Sequence, residues 1–83
     1  MLLVILPVAR RELGNLGRDV TPRIAAAIDA LTENPRPPGC PLLRDRASRT
    51  WRVRVGDWRI LYDIDDAAGV VTILHVLHRS QAY

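Results

Sequence analysis

Arginine is the residue type in this sequence whose number and spacing suggest chemistry. All twelve basic side chains of the 83-residue chain are arginines, and lysine is absent from the sequence. Arginine presents five N–H donors in a planar fork that matches the oxygens of a phosphate. A GC-rich genome also favours arginine codons, so composition alone does not separate a functional reason from a genomic one. The positions of the arginines in the chain do separate the two explanations.

Three arginines fall in one segment whose pattern has period two. Arg52 and Arg54 alternate with apolar residues, and Arg59 follows the dipeptide Gly56-Asp57. This alternation is typical of strands, and a two-residue turn with glycine first is typical of a type II′ hairpin. Closing the hairpin on this turn places Arg54 directly opposite Arg59. We call the sheet face that carries these three arginines the arginine face.

The other face of the same hairpin is apolar. The predicted register pairs Val55 with Trp58, Val53 with Ile60 and Trp51 with Tyr62. Such aromatic and β-branched pairs are expected to pack against helices. A slip of one residue would turn them all to solvent, so the register of this hairpin is well determined.

A further strand is predicted from Val70 to about Leu77. If Ile64 pairs with Val70 across the preceding loop, His75 lies opposite Arg59. Imidazole exchanges protons near neutral pH, so this register would add an acid–base group to the arginine face.

Arginines directly opposite each other destabilise a sheet, which indicates that an anionic ligand compensates for the repulsion. The alternative is a solvated face on which Asp57, Asp63 and Asp65 form weak surface salt bridges with the arginines. These acids fall at turns and strand ends whereas the arginines fall within strands. We therefore favour the ligand.

The N-terminal half supplies the elements that must support this sheet. The continuous apolar run Leu2–Leu6 predicts a buried strand, and it lacks the basic region and cleavage site of a signal peptide. Pro7 begins a first helix that is expected to end near Gly17. Thr21 is the expected N-cap of a second helix, which should end near Asn34 because a proline follows.

These elements predict an α+β fold of βααβββ order, a mostly antiparallel four-stranded sheet on a helical hairpin, in one domain over 1–83. No run approaches the ~20 apolar residues of a membrane span. Cys40 is the single cysteine and cannot form an internal disulfide, so a reducing cytoplasm is expected.

The motifs along the chain resemble those of the RelE/ParE toxin superfamily. Arg52–Tyr62 matches the core R-x-R-x-G-D-[YW]-R-[IV]-x-Y, and Val76–Tyr83 matches the terminal V-x-H-R-x-x-x-Y. Ala9–Leu13 resembles the first-helix A-x-[KR]-x-L, and Asn34–Arg36 resembles the N-P-R that ends the second helix. The resemblance covers essentially the whole chain.

The resemblance implies a RelE-type mRNA interferase, the toxin of a type II toxin–antitoxin system. Such a toxin cleaves mRNA in the ribosomal A site by attack of the ribose 2′-hydroxyl on phosphorus, without a metal ion or other cofactor. By motif position, Arg59 stabilises the transition-state phosphate and Arg79 assists the leaving 5′-oxygen. Tyr83 orients or stacks the substrate or shares in proton transfer, and Arg52 and Arg54 hold RNA phosphate.

The sequence departs from this family where several members carry lysines, at Arg52 and Arg54. A lysine can serve as a base, but an arginine does not lose its proton in proteins. His75 and His78 then remain as candidate proton acceptors. The predicted register favours His75, and the alternative for each is a structural strand histidine.

Two other functions stay open at this level. ParE-branch toxins share the fold and block DNA gyrase, and a decayed member would only bind antitoxin or RNA. The pair Arg79 and Tyr83 is typical of the nuclease branch. The partners implied are a small, partly disordered RelB-like antitoxin and the ribosome with its mRNA; no membrane partner is implied.

Overall fold

The computed structural model describes residues 1–35 and 50–81. Within these ranges the elements are, in chain order, β1 (Leu2–Ile5), α1 (Pro7–Gly14), α2 (Thr21–Glu33), β2 (Trp51–Val55), β3 (Trp58–Asp65) and β4 (Val70–His78). They form one four-stranded sheet in the order β1-β4-β3-β2, with β1 parallel to β4 and the other neighbours antiparallel. This is the predicted α+β fold. None of the described helices is long and apolar enough to cross a membrane.

Both helices pack their apolar stripes on one face of the sheet. Helical spacing brings one side of each helix to that face. The buried core consists of Ala9, Ile24, Ile28 and Leu31 from the helices and Ile60, Tyr62, Val71, Ile73 and Val76 from the strands. Since side chains alternate along a strand, the arginine face is the face turned away from the helices.

The register of the first hairpin is the predicted one. Trp58 pairs with Val55, and Arg54 lies opposite Arg59. Gly56 has φ +59°, the left-handed conformation that the first position of this turn requires and that glycine adopts without steric cost.

The predicted register of the second hairpin is wrong. Arg59 lies opposite Leu77, and His75 lies opposite Leu61. The pairing of β4 is therefore displaced by two residues from the predicted one. His75 stays on the arginine face, but it does not face Arg59.

Two local features cause this displacement, and each contributes one residue. Asp65 rather than Ile64 pairs with Val70, because the turn is one residue shorter than expected. The turn is closed by Asp65 Oδ1, which accepts a hydrogen bond of 3.0 Å from the backbone N–H of Ala68. Further along, a β-bulge leaves Leu74 without a partner on β3.

β1 is an edge strand and is largely exposed, which corrects the prediction of a buried strand. Leu2 is 70% exposed and Val4 is 43% exposed. A continuous apolar run is typical of strands covered on both faces, but an edge position leaves one side of this strand uncovered.

The helix ends also differ in detail. α1 ends at Gly14, three residues before the predicted Gly17. Val20 rather than Thr21 is the N-cap of α2, and the hydroxyl of Thr21 donates back to the carbonyl of Gly17 at 3.0 Å. The C-terminal end of α2 is at Glu33, with Asn34 as C-cap, as predicted.

Candidate active site

The turn between β2 and β3 gathers arginine side chains. The carbonyl oxygen of Gly56 accepts a bond of 3.2 Å from Nε of Arg54 and a bond of 3.3 Å from Nη1 of Arg59. A carbonyl accepts these bonds without neutralising the positive charge of the guanidinium group. Two predicted site residues therefore meet at the turn with their charges intact.

Arg59 is buried along its stem but keeps donors available. Only 7% of the residue is exposed, and Nη1 also donates to the carbonyl of Trp58 at 3.0 Å. Within residues 1–35 and 50–81, no buried side-chain nitrogen or oxygen lacks a hydrogen-bond partner. The other guanidinium nitrogens of Arg59 have no bonded partner in these ranges, so they reach solvent. A buried cation with solvent-facing donors is suited to an anionic ligand.

Arg79 reaches the same turn from the end of β4. Its backbone N–H donates to the carbonyl of Asp57 at 2.8 Å. Its Nε lies 3.9 Å from Oδ1 of Asp57, and both side chains are more than 60% exposed, at 62% and 61%. A long, solvated ion pair contributes little, so the Arg79 side chain is free to exchange this carboxylate for a phosphate.

The alternative prediction is that aspartates form weak salt bridges with the arginines of this face. Arg54 and Arg59 do not follow it. Among the described residues, neither guanidinium has a carboxylate within salt-bridge distance, and both are held by carbonyl groups. Asp65 uses its side chain to close its own turn instead.

A fourth arginine, Arg23 of α2, approaches the turn and was missed by the sequence argument. A Cβ atom added to Gly56 would lie 3.0 Å from Nη2 of Arg23. Arg23 is exposed on the helix and shares no local motif with the hairpin. Only the packing of α2 beside β2 brings these residues together, so no sequence signal was available to find it.

His78 lies close to the turn, on the helix-facing side of the sheet. It pairs with Trp58 across the strands, and the two rings meet edge-on with centroids 5.3 Å apart. Nδ1 accepts the backbone N–H of Ser80 at 3.3 Å and lies 3.0 Å from the Ser80 hydroxyl. A backbone N–H can only donate, so we assign the proton of the neutral ring to Nε2.

His75 is held away from the turn by Glu12. Its Nδ1 lies 3.3 Å from Oε1 of Glu12, which also accepts the backbone N–H of Val76 at 2.9 Å. We assign the proton of the neutral ring to Nδ1, because an ionised carboxylate only accepts. Glu12 is a second residue that sequence reasoning missed. Its partners His75 and Val76 lie 63 and 64 residues further along the chain, so no local pattern connects them.

The remaining predicted residues are placed less closely. Arg52 is half-buried on the arginine face, opposite Leu61. Tyr83 and Cys40 lie outside the described residues. No group of three or more His, Cys, Asp or Glu side chains within 1–35 and 50–81 is arranged to hold a metal ion.

Comparison with known proteins decides the family. A family model described as the ParE toxin of the type II toxin–antitoxin system parDE matches residues 3–83. Toxin RelG of Mycobacterium tuberculosis is 41% identical over 80 residues, which covers 90% of this chain and 86% of RelG. The chain belongs to the RelE/ParE superfamily of type II toxins. The resemblance found in the sequence motifs is confirmed.

Solved structures of RelE/ParE toxins share this fold. The toxin–antitoxin complex RelBE2 of Mycobacterium tuberculosis matches with a TM-score of 0.82 at 30% identity, covering 94% of this chain and 96% of that chain. The archaeal RelE–RelB complex from Pyrococcus horikoshii also gives 0.82, at 23% identity, with 96% of both chains covered. The second likeness concerns the fold alone.

Proposed function

We propose that this toxin is an endoribonuclease that cleaves mRNA in the ribosomal A site without a metal ion. The convergence of Arg54, Arg59 and Arg79 on the Gly56-Asp57 turn carries the proposal. Attack of a 2′-hydroxyl on phosphorus builds negative charge on the phosphate oxygens. The guanidinium groups of Arg54 and Arg59 are already held by a carbonyl oxygen, so they stabilise such charge without reorganisation during the reaction.

The proposed reaction exchanges one P–O bond for another. The 2′-oxygen bonds to phosphorus while the bond to the 5′-oxygen breaks, giving a 2′,3′-cyclic phosphate and a 5′-hydroxyl. The solvent-facing nitrogens of Arg59 hold the non-bridging oxygens, and Arg79 supports the charge on the leaving 5′-oxygen. Tyr83 keeps its proposed role in orienting the substrate, and Arg52 its role in holding phosphate.

Two protons must move in this reaction, one away from the 2′-oxygen and one to the 5′-oxygen. His78 directly precedes Arg79, and the Ser80 contacts at Nδ1 leave its Nε2 available. In its imidazolium form it donates the Nε2 proton to the 5′-oxygen, while the proton of the 2′-hydroxyl leaves to solvent water. His75 has the tautomer of an acceptor, but its register places it opposite Leu61 and Glu12 holds its ring. We therefore transfer the main acid–base role from His75 to His78.

A cognate antitoxin is the second part of the proposal. The RelBE2 and archaeal RelE–RelB structures are toxin–antitoxin complexes. The net charge of this chain is +3, so an acidic segment of a small RelB-like antitoxin would be complementary to it. Such a partner would protect the host by covering the arginine side chains at the turn.

The description of the family model as a ParE toxin favours a second candidate function, inhibition of DNA gyrase. Inducible expression separates the two. We expect mapped mRNA 5′ ends to cluster inside codons at the A site, and Arg79→Ala to abolish both the cuts and growth arrest. Arg18→Ala, a change at another exposed arginine, is the matched control and should keep both. Arrest with intact messages and damaged DNA would instead support the gyrase inhibitor.

A further inference from the structure

A cavity of about 260 Å³ opens between the C-terminal end of α1, the start of β3 and the turn that follows β4. Its lining consists of Glu12, Asn15, Leu16, Trp58, Val76 and Gln81. Pockets that hold drug-sized ligands measure about 300–1,000 Å³, so this volume suits a single ring system rather than a whole nucleotide.

The cavity exists because β1 is shorter than β4. β1 pairs with β4 only from Val70 to Ile73, which leaves the outer edge of the rest of β4 without a strand partner. Side chains satisfy the N–H groups there: Val76 donates to Glu12 at 2.9 Å, and His78 donates to Oε1 of Gln81 at 3.2 Å. Polar side chains, and not a neighbouring strand, thus accept the hydrogen bonds of this edge of β4. The space between these side chains is the cavity.

The walls of the cavity offer the two kinds of contact that a nucleobase uses. Trp58 is half-buried and contributes an aromatic wall on which a base can stack. Asn15 and Gln81 contribute amide donors and acceptors, and Glu12 contributes a carboxylate. The Oε2 atom of Glu12 has no hydrogen-bond partner within residues 1–35 and 50–81.

The negative charge of Glu12 determines which part of a nucleotide the cavity can bind. A carboxylate repels phosphate, so the anionic part of a nucleotide is excluded from the cavity. It accepts hydrogen bonds from an exocyclic amino group such as N4 of cytosine, and it is repelled by the O4 carbonyl of uracil in the same position. The lining is therefore complementary to a base that bears an amino group.

Two residues of the cavity lining are linked to Arg79 by the chain or by the β2–β3 turn. Gln81 lies two residues after Arg79, and Trp58 directly follows Asp57, the residue that contacts Arg79. We propose that the cavity receives one amino-bearing nucleobase, cytosine in preference to uracil, of the RNA whose phosphate Arg79 binds. This inference rests on the proposed ribonuclease function and gives it a base preference.

Tryptophan fluorescence tests the inference directly, since Trp51 and Trp58 are the two tryptophans of the chain. In the full chain carrying Trp51→Phe, Trp58 reports alone. We expect cytidine 5′-monophosphate to quench it saturably, uridine 5′-monophosphate to bind at least about tenfold more weakly, and ribose 5-phosphate to have no effect.

Variants in the same background give the second readout. Asn15→Leu replaces an amide of the cavity lining with an apolar side chain of similar size. This loss of hydrogen-bonding groups should weaken cytidine monophosphate binding about tenfold. Arg18→Leu, in the same connection but outside the cavity, should leave it unchanged. Equal binding of the two nucleotides, quenching by ribose 5-phosphate, or equal affinity in both variants would overturn the inference. Nucleotide binding without RNA cleavage by the wild-type chain would reject the proposed function and leave the cavity as a base site.

Discussion

At the scale of single residues, the site depends on how each arginine is held. Arg59 and Arg54 donate to the carbonyl of Gly56, and Arg79 has only a distant, solvated carboxylate. Carbonyl dipoles fix a guanidinium group in space but leave its net charge to act on a ligand. The same reasoning separates the two histidines, because the hydrogen bonds at Nδ1 give them opposite tautomers.

The histidines can be told apart by substitution. We expect His78→Gln to lower the cleavage rate constant about 100-fold or more, the usual effect of losing a proton-transfer group. His75→Gln is the matched control and should change it by less than about threefold, because Glu12 holds that ring away from the turn. Single-turnover cleavage on mRNA-programmed ribosomes across a range of pH measures both. A larger loss in the His75 variant would restore it as the acid–base residue.

At the scale of elements, the β2–β3 turn is the centre of the site. Its carbonyl groups accept hydrogen bonds from the side chains of Arg54 and Arg59 and from the backbone N–H of Arg79. Arg23 of α2 also approaches this turn. Gly56 meets two demands there: a φ of +59° and the closeness of Arg23. Gly69 has a φ of +69° as well, but a Cβ atom there would meet nothing within 4 Å.

This pair of glycines allows a matched test. Gly56→Ala and Gly69→Ala should each lower the free energy of unfolding by about 1–2 kcal/mol, because alanine is strained at positive φ. Only Gly56→Ala should also slow cleavage, since its methyl group displaces Arg23 and disturbs the carbonyl that holds Arg59. Urea denaturation and the cleavage assay report the two effects. Equal activity of the two variants would contradict this role for the turn.

At the scale of the whole molecule, placement matters more than total charge. The net charge is only +3, yet arginines from α2, β2, β3 and the end of β4 reach one turn. The helices cover the other face of the sheet with the apolar core. This division leaves the arginines together at the β2–β3 turn and a separate cavity between α1 and β4, the arrangement on which the proposed binding of phosphate and base depends.

Salt dependence measures this surface as a whole. Each phosphate contact to single-stranded RNA contributes about 0.7 to the slope of log affinity against log salt. We expect Arg23→Gln to reduce that slope by about 0.7 for a 2′-O-methyl oligonucleotide, which cannot be cleaved. Arg18→Gln is the control and should keep the wild-type slope. If the Arg23 variant also keeps it, this side chain does not contact RNA.

The fold class, the family and the first hairpin could all be predicted from the amino-acid sequence. Trp51–Asp65 needs only local information, because a two-residue turn and strict alternation leave one register that buries the aromatics. Arg54 opposite Arg59 follows from that register and is confirmed. The roles assigned to Arg79 and Tyr83 stay predictions.

The surroundings of that hairpin depend on contacts between elements that are distant in the chain. The shorter β3–β4 turn and the bulge at Leu74 together displaced His75 from Arg59, and the edge position of β1 exposed Leu2. Arg23 at the turn and Glu12 at the edge of β4 depend on helices packing against strands far away in the chain. Such contacts form when apolar faces are buried together, and no local pattern records which polar side chains that burial brings into reach.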